Sequence, residues 1–272
     1  MIIKGSDLRK NIRQTGTERP ISINLLKDFF GGGIYKGLYI LGADPGIGKS
    51  LFSIQLGIEA VLAGYKVLYI SAEMSSDVIG SRLIKMYPDI NDDIFDNFYI
   101  DDDKRITSDR IITLADELNP DFLIVDYLQF VAQPSTCKTL MDMKDIVKCT
   151  LNALLTICAK QHIPVLAISS LVKSSSSISR SISIHDFKDS SCIEYDCDYL
   201  LALQYDGVND GKKIIKKNVD NDKVKKLELV VLKDRRSRLK QCAKLTLDKE
   251  NCIFFDDEHN IQDFIEEEFE CE

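Results

Sequence analysis

The chain has 272 residues, 44% of them hydrophobic, and a formal net charge of −8. This length and apolar content fit one large α/β domain whose own core needs no disulfide framework or structural metal. No stretch approaches the roughly 20 apolar residues of a membrane span, and the opening MIIKGSDLRK has no secretory pattern, so the cytoplasm is the expected compartment.

Residues 1–30 are polar and weakly patterned and read as an arm or linker. GLYILG (37–42) is an apolar run ending in glycine, as a buried strand would be, and residues 50–64 have helical apolar spacing up to Gly64. KVLYIS (66–71) predicts a second strand, followed by a helix over 77–87, a short strand at 98–100 and a helix over 108–118. DFLIVDY (121–127), a long helix over 141–163 and PVLAIS (164–169) complete the alternating part. Such alternation implies a mostly parallel sheet flanked by helices. Beyond Ser169 the texture changes to a serine-rich loop (171–187). The closely spaced strand candidates at 199–205, 226–233, 243–248 and 252–256 look antiparallel.

The eight cysteines form no C-x-x-C pair and lie mostly in apolar runs, as small reduced thiols do. The negative charge is local. Residues 256–272 carry nine carboxylates and no Lys or Arg, and without them the chain is close to neutral. Cations gather in KKIIKK (212–217), KVKK (223–226) and KDRRSRLK (233–240), so the net charge does not exclude a nucleic-acid partner. The expected organisation is an arm (1–30), a motor domain (31–255) and an acidic tail (256–272).

GADPGIGKS (42–50) contains the P-loop spacing x-x-x-x-G-K-[ST], with Ala43 in the position before it where G-x-x-x-x-G-K-[ST] has its first glycine, and it has a strand before it and a helix after it. Gly42, Ala43, Asp44, Pro45, Gly46, Ile47 and Gly48 would wrap backbone N–H groups around phosphate oxygens at the positive end of that helix. Lys49 would reach the terminal phosphates of ATP, with Ser50 and Asp126, at the end of FLIVD, serving Mg²⁺. Glu73 follows the second strand at the ligand-binding edge of a parallel sheet, where it can orient the attacking water or act as a helix N-terminal acid. Lys233 and Arg235 alternate on a strand, so both can face one anion; a solvated basic hairpin is the other reading.

These motifs together resemble the C-terminal motor domain of DnaB-type replicative DNA helicases, a hexameric RecA-like branch. The segment up to Ser50, SAEM (71–74), DYLQ (126–129), DFKDSSCIEYDCDYLLAL (186–203) and KDR (233–235) each resemble a family motif. The resemblance implies an ATP hydrolase of RecA-like fold in which Glu73 is the catalytic base. It implies that Lys233 and Arg235 act in trans, on a neighbouring subunit of a hexameric ring. Single-stranded DNA would thread that ring, held by loops carrying Lys138, Lys173, Arg180 and Lys188. A loader, a primase or a separately supplied N-terminal domain would be partners in replication.

Three departures stand out. Ser170 replaces the family glutamine that senses the γ-phosphate, Asp189-Ser190-Ser191 replaces E-S-G, and the first 30 residues leave no room for the family's N-terminal helical domain. Two alternatives stay open: a DnaB- or KaiC-like switch acting on protein partners, and a nucleotide-binding assembly protein without catalysis. A RecA-type recombinase fits DYLQ and IEYDCD less well.

Overall fold

The computed structural model describes residues 20–134, 140–172, 180–208, 220 and 223–256. Within them, β1 (Gly37–Gly42), α1 (Lys49–Leu62), β2 (Val67–Ser71), α2 (Ser76–Met86), β3 (Phe98–Asp101), α3 (Ser108–Leu118) and β4 (Phe122–Asp126) alternate in sequence. There follow α4 (Met143–Gln161), β5 (Pro164–Ser169), the short α5 (Ser190–Asp196), β6 (Tyr199–Tyr205), β7 (Val224–Asp234), β8 (Cys242–Asp248) and β9 (Ile253–Asp256). One nine-stranded sheet results, in the order β3-β2-β4-β5-β1-β6-β7-β8-β9.

The strands from β3 to β6 are parallel, and β7, β8 and β9 add on antiparallel. YLLALQY differs from its expected place: it pairs parallel to β1 on one side and antiparallel to β7 on the other. Its length and hydrophobicity suit either partner, and only the route of the chain through α5 settles the direction.

Side chains alternate across the pleat, so each strand feeds both faces. Tyr39, Leu41, Tyr69 and Ile124 pack on one face against α1, and Leu38, Ile40, Leu68 and Val125 pack on the other with α3 and α4. The helices end where their sequence permits. The Thr107 side chain accepts the Arg110 N–H at the start of α3, Asp142 accepts that of Asp145 at the start of α4, and Asn119 and His162 take left-handed caps.

Residues 20–30 depart from the expected arm. Ile21, Ile23, Leu25, Leu26, Phe29 and Phe30 are buried, and Ile21 bridges Ile34. Glu59, itself buried in α1, accepts the N–H groups of Asn24 and Leu25 at 2.8 and 2.7 Å. The signal is present in ISINLLKDFF, but it matches no regular period because the segment packs as turns. The antiparallel strands brace α1. Gln55 makes a pair of hydrogen bonds with the Phe254 backbone at 3.0 and 2.7 Å, and the Phe52 and Phe254 rings meet edge-on at 5.5 Å. Burying a ring such as that of Phe254 contributes on the order of 2–3 kcal/mol.

Candidate nucleotide-binding site

The turn between β1 and α1 takes its shape from its glycines. Gly46 (φ +77°) and Gly48 (φ +125°) lie where a Cβ is strained, and α1 then begins at Lys49. No side chain caps that helix start and no acid sits in its first turn, so its N-terminal amides keep an anion-binding character. The Lys49 ammonium donates to the carbonyls of Ala43 and Asp44 at 2.7 and 3.1 Å, folding it back over the turn. Burial pulls the Lys49 pKa down, against the opposing pull of Asp126, Glu73 and Asp44.

A cleft of about 420 Å³ opens beside this turn. Lys49 and Ser50 line it from α1, Glu73 and Met74 from the end of β2, Arg82 from α2, Tyr127 from the end of β4 and Ser170 from the end of β5. Three successive strand ends thus converge on the P-loop, as expected at the C-terminal edge of a parallel sheet. Glu73 is exposed and set by a tight turn, in which the Ser71 hydroxyl donates to Met74 O at 2.7 Å and accepts Met74 N–H at 3.2 Å. Ser71 is the register partner of Asp126, so the two acids occupy neighbouring strand ends.

Asp126 is 1% exposed, and its Oδ2 accepts the Tyr69 hydroxyl at 3.0 Å, which in turn lies 3.0 Å from Ser53 Oγ. Its Oδ1 is buried without a hydrogen-bond partner among the described residues. This orphaned carboxylate oxygen and the hydroxyl of Ser50, which lines the cleft and lowers the pKa of the same carboxyl, are hard-oxygen donors that fit Mg²⁺. Burial raises the Asp126 pKa, partly offset by Ser50, Tyr69 and Lys49. A raised folded pKa means that ionisation opposes folding, a penalty absent at low pH that grows as pH rises through the carboxylate range. Asp126→Asn is therefore expected to raise the nucleotide-free Tm and to lose any further rise on adding ATP with Mg²⁺. A lower Tm, or an intact response to Mg-ATP, would count against this account of Asp126.

Sequence reasoning missed Arg82 and Tyr127. Arg82 sits between the buried Ile79 and Leu83 at the border of α2's inner face, a position that points to no ligand until the helix is docked. The Tyr127 ring lies tilted at 40° against Phe130, with 4.2 Å between ring centres, and Tyr127 directly follows the recognisable Asp126.

Lys233 and Arg235 do not line this cleft. Lys233 pairs in register with Leu200, near the start of β6 and toward the sheet edge opposite the P-loop. Its ammonium donates to the carbonyls of Glu194 and, at 2.8 Å, Cys197; the Arg235 guanidinium donates to Tyr195 O and lies 3.7 Å from Asp198. The two cations meet at the negative C-terminal end of α5. Burial pushes the adjacent Cys197 thiol up to about 11.

Of the cations expected on the DNA-facing loops, Lys188 is exposed. Arg180 is held by both oxygens of the buried Asp186 and holds that acid's pKa well below the usual carboxylate range. Lys138 and Lys173 lie outside the described residues, as do most of the expected arm and tail. Among the described residues no group of three or more His, Cys, Asp or Glu forms a further metal cluster, and no helix is long and apolar enough to cross a membrane.

A mostly parallel sheet with helices on both faces, a P-loop after its first strand and acids on the neighbouring strand ends is the RecA-like nucleoside-triphosphatase fold. The chain belongs to the DnaB-like helicase C terminal domain family, whose model matches residues 94–256. It is also similar to the DNA repair protein RadA of Listeria monocytogenes, 28% identical over 160 residues, which are 58% of this chain and 33% of that protein. The chain thus spans about a third of that relative's length.

Among solved structures, one ATPase domain aligns with a TM-score of 0.72 over 92% of this chain and 96% of its own, at 18% identity. A DnaB-like replicative helicase, described with its interactions with primase, aligns with a TM-score of 0.70 over 92% of this chain and 65% of its own, at 17% identity. At these identities the likeness is one of fold.

Proposed function

We propose that the chain is an ATP-driven motor of the DnaB type that moves along and unwinds DNA by acting on a single strand. The observation that carries this is the division of the site. A cleft joins the P-loop to Glu73 and Ser170, while Lys233 and Arg235 stand away from it on α5. Lys49 and the first amides of α1 hold the triphosphate, and Ser50 and Asp126 hold Mg²⁺, which supplies charge neutralisation at the transferring phosphoryl group. Glu73 orients the attacking water and takes its proton.

Lys233 and Arg235 complete the site of a neighbouring copy. This requires a heterologous, head-to-tail contact and hence a ring, for which we take six subunits. Lys188, with Lys138, Lys173 and Arg180, provides phosphate contacts in the channel; Arg180 first has to leave Asp186. A primase, a loader or a separate N-terminal domain would be partners in replication. The six described cysteines are free thiols, as the cytoplasm keeps them.

The test is steady-state ATP hydrolysis with and without oligo-dT across a range of salt. Several-fold stimulation that fades steeply with salt is expected, because phosphate contacts release counterions. Hydrolysis indifferent to DNA would instead favour a switch acting on protein partners. Two observations give that second reading weight: the short Ser170 in the cleft and the neutralised Arg180.

A further inference from the structure

Ser170 lines the cleft with a short side chain, so any link from nucleotide to the DNA-facing loop runs through other groups. Contacts suited to that link surround it. The buried Gln129 accepts Ser170 N–H and donates to Ser169 Oγ, both at 3.1 Å, tying β5 to the segment after Asp126. Lys188 N–H donates to Ser170 O at 3.1 Å, and Leu171 and Phe187 form an antiparallel bridge. The Phe187 ring is 1% exposed and lies directly on Gly42, the last residue of β1, from which the chain enters the P-loop. A Cβ at Gly42 would collide with Cε1 and Cζ of that ring and stand 3.0 Å from Leu171 Cδ2. One closely packed ring therefore touches the residue that leads into the P-loop, and the residue after that ring is the exposed Lys188.

We propose that Phe187 is a positioning residue that transmits the state of the nucleotide cleft to Lys188. The ring on Gly42 and the Lys188–Ser170 backbone bond move as one piece. Packed interiors shift between discrete arrangements rather than deforming smoothly, so a displacement of Gly42 on nucleotide binding carries the ring with it. Lys188, one peptide bond away and bonded to Ser170, then changes its reach toward a DNA phosphate. This inference rests on the reading of the chain as a DNA-stimulated ATPase.

The experiment compares the unaltered chain with Phe187→Leu and Phe187→Ala. Hydrolysis is measured with and without oligo-dT, and binding of labelled oligo-dT with and without a non-hydrolysable ATP analogue. In Phe187→Leu, basal kcat and the KM for ATP are expected to stay within about twofold of the unaltered chain, while the DNA stimulation ratio falls most of the way to one. The effect of the analogue on DNA affinity should shrink as well, and the effect of DNA on analogue affinity with it, since coupling between two bound ligands is reciprocal. If Phe187→Ala does not fold, Phe187→Leu decides alone.

Stimulation retained in the folded variants would overturn the inference. So would basal and stimulated rates falling in parallel with a lowered Tm, because that marks a purely structural role. If the unaltered chain itself shows no stimulation, the DNA-motor reading falls and takes the inference with it. Stimulation in both the unaltered chain and Phe187→Leu removes the inference alone.

Discussion

Glu73→Gln is expected to lower kcat for ATP hydrolysis by about 10²–10⁴-fold, the usual worth of a positioned general base. Affinity for ATP should change little. Glu73 is exposed at the rim of the cleft, whereas the bonds that shape the phosphate cradle, from Lys49 to Ala43 and Asp44 and from Tyr69 to Asp126, are made by other residues. Glutamine keeps the size and the hydrogen-bonding oxygen but cannot take a proton. The measurements are single-turnover hydrolysis and binding of a fluorescent nucleotide. Binding lost together with hydrolysis would make Glu73 a part of the phosphate cradle, and hydrolysis left near the unaltered rate would remove it from the chemistry.

If Arg235 acts in trans as proposed, Arg235→Ala is expected to cost about 10³–10⁵-fold in kcat, the usual effect of losing an arginine finger. The fold should survive, because the exposed guanidinium caps only Tyr195 O and faces Asp198 at 3.7 Å. The informative step is mixing. Arg235→Ala and Glu73→Gln, each inactive alone, should regain part of the activity when combined, since some interfaces then pair an intact Glu73 with an intact Arg235 from the neighbour. No recovery in a mixture shown to form joint oligomers would sink the trans arrangement. Lys233→Ala should behave in the same way with a smaller loss, because an ammonium offers one point charge where guanidinium offers a fork.

The parts of the site that are contiguous in the chain were legible in the sequence. A P-loop is a strand, a glycine turn and a helix start in one stretch of residues, and its chemistry depends on local backbone geometry that Gly46 and Gly48 make possible. Asp126 ends an apolar run and Glu73 follows one by two residues, and in a parallel sheet such strand ends gather at one edge. The alternation of strands and helices likewise implied the layered architecture.

Other features were written in the sequence without being readable there. Arg180 looked like a phosphate ligand from its charge and its serine-rich surroundings. Its pairing with Asp186 depends on a turn in which Asp186 also accepts from the Ser183 hydroxyl and N–H. Residues 20–30 looked like a linker because their apolar residues follow no helical or strand period, and burial of such a segment shows only once α1 and the sheet supply the other wall.

The P-loop, its acids and the layered α/β fold follow from local backbone preference and periodicity, and the likeness to DnaB-type motors from resemblance of motifs such as SAEM, DYLQ and KDR; the order of residues is enough for these. Folding in three dimensions was needed to set β6 parallel to β1, to bring Arg82 and Tyr127 into the cleft, to rest Lys233 and Arg235 on α5 away from it, and to lay Phe187 on Gly42. Most of these join residues far apart in the chain. Such contacts form where packed surfaces meet, and no local pattern records which surface a side chain will meet.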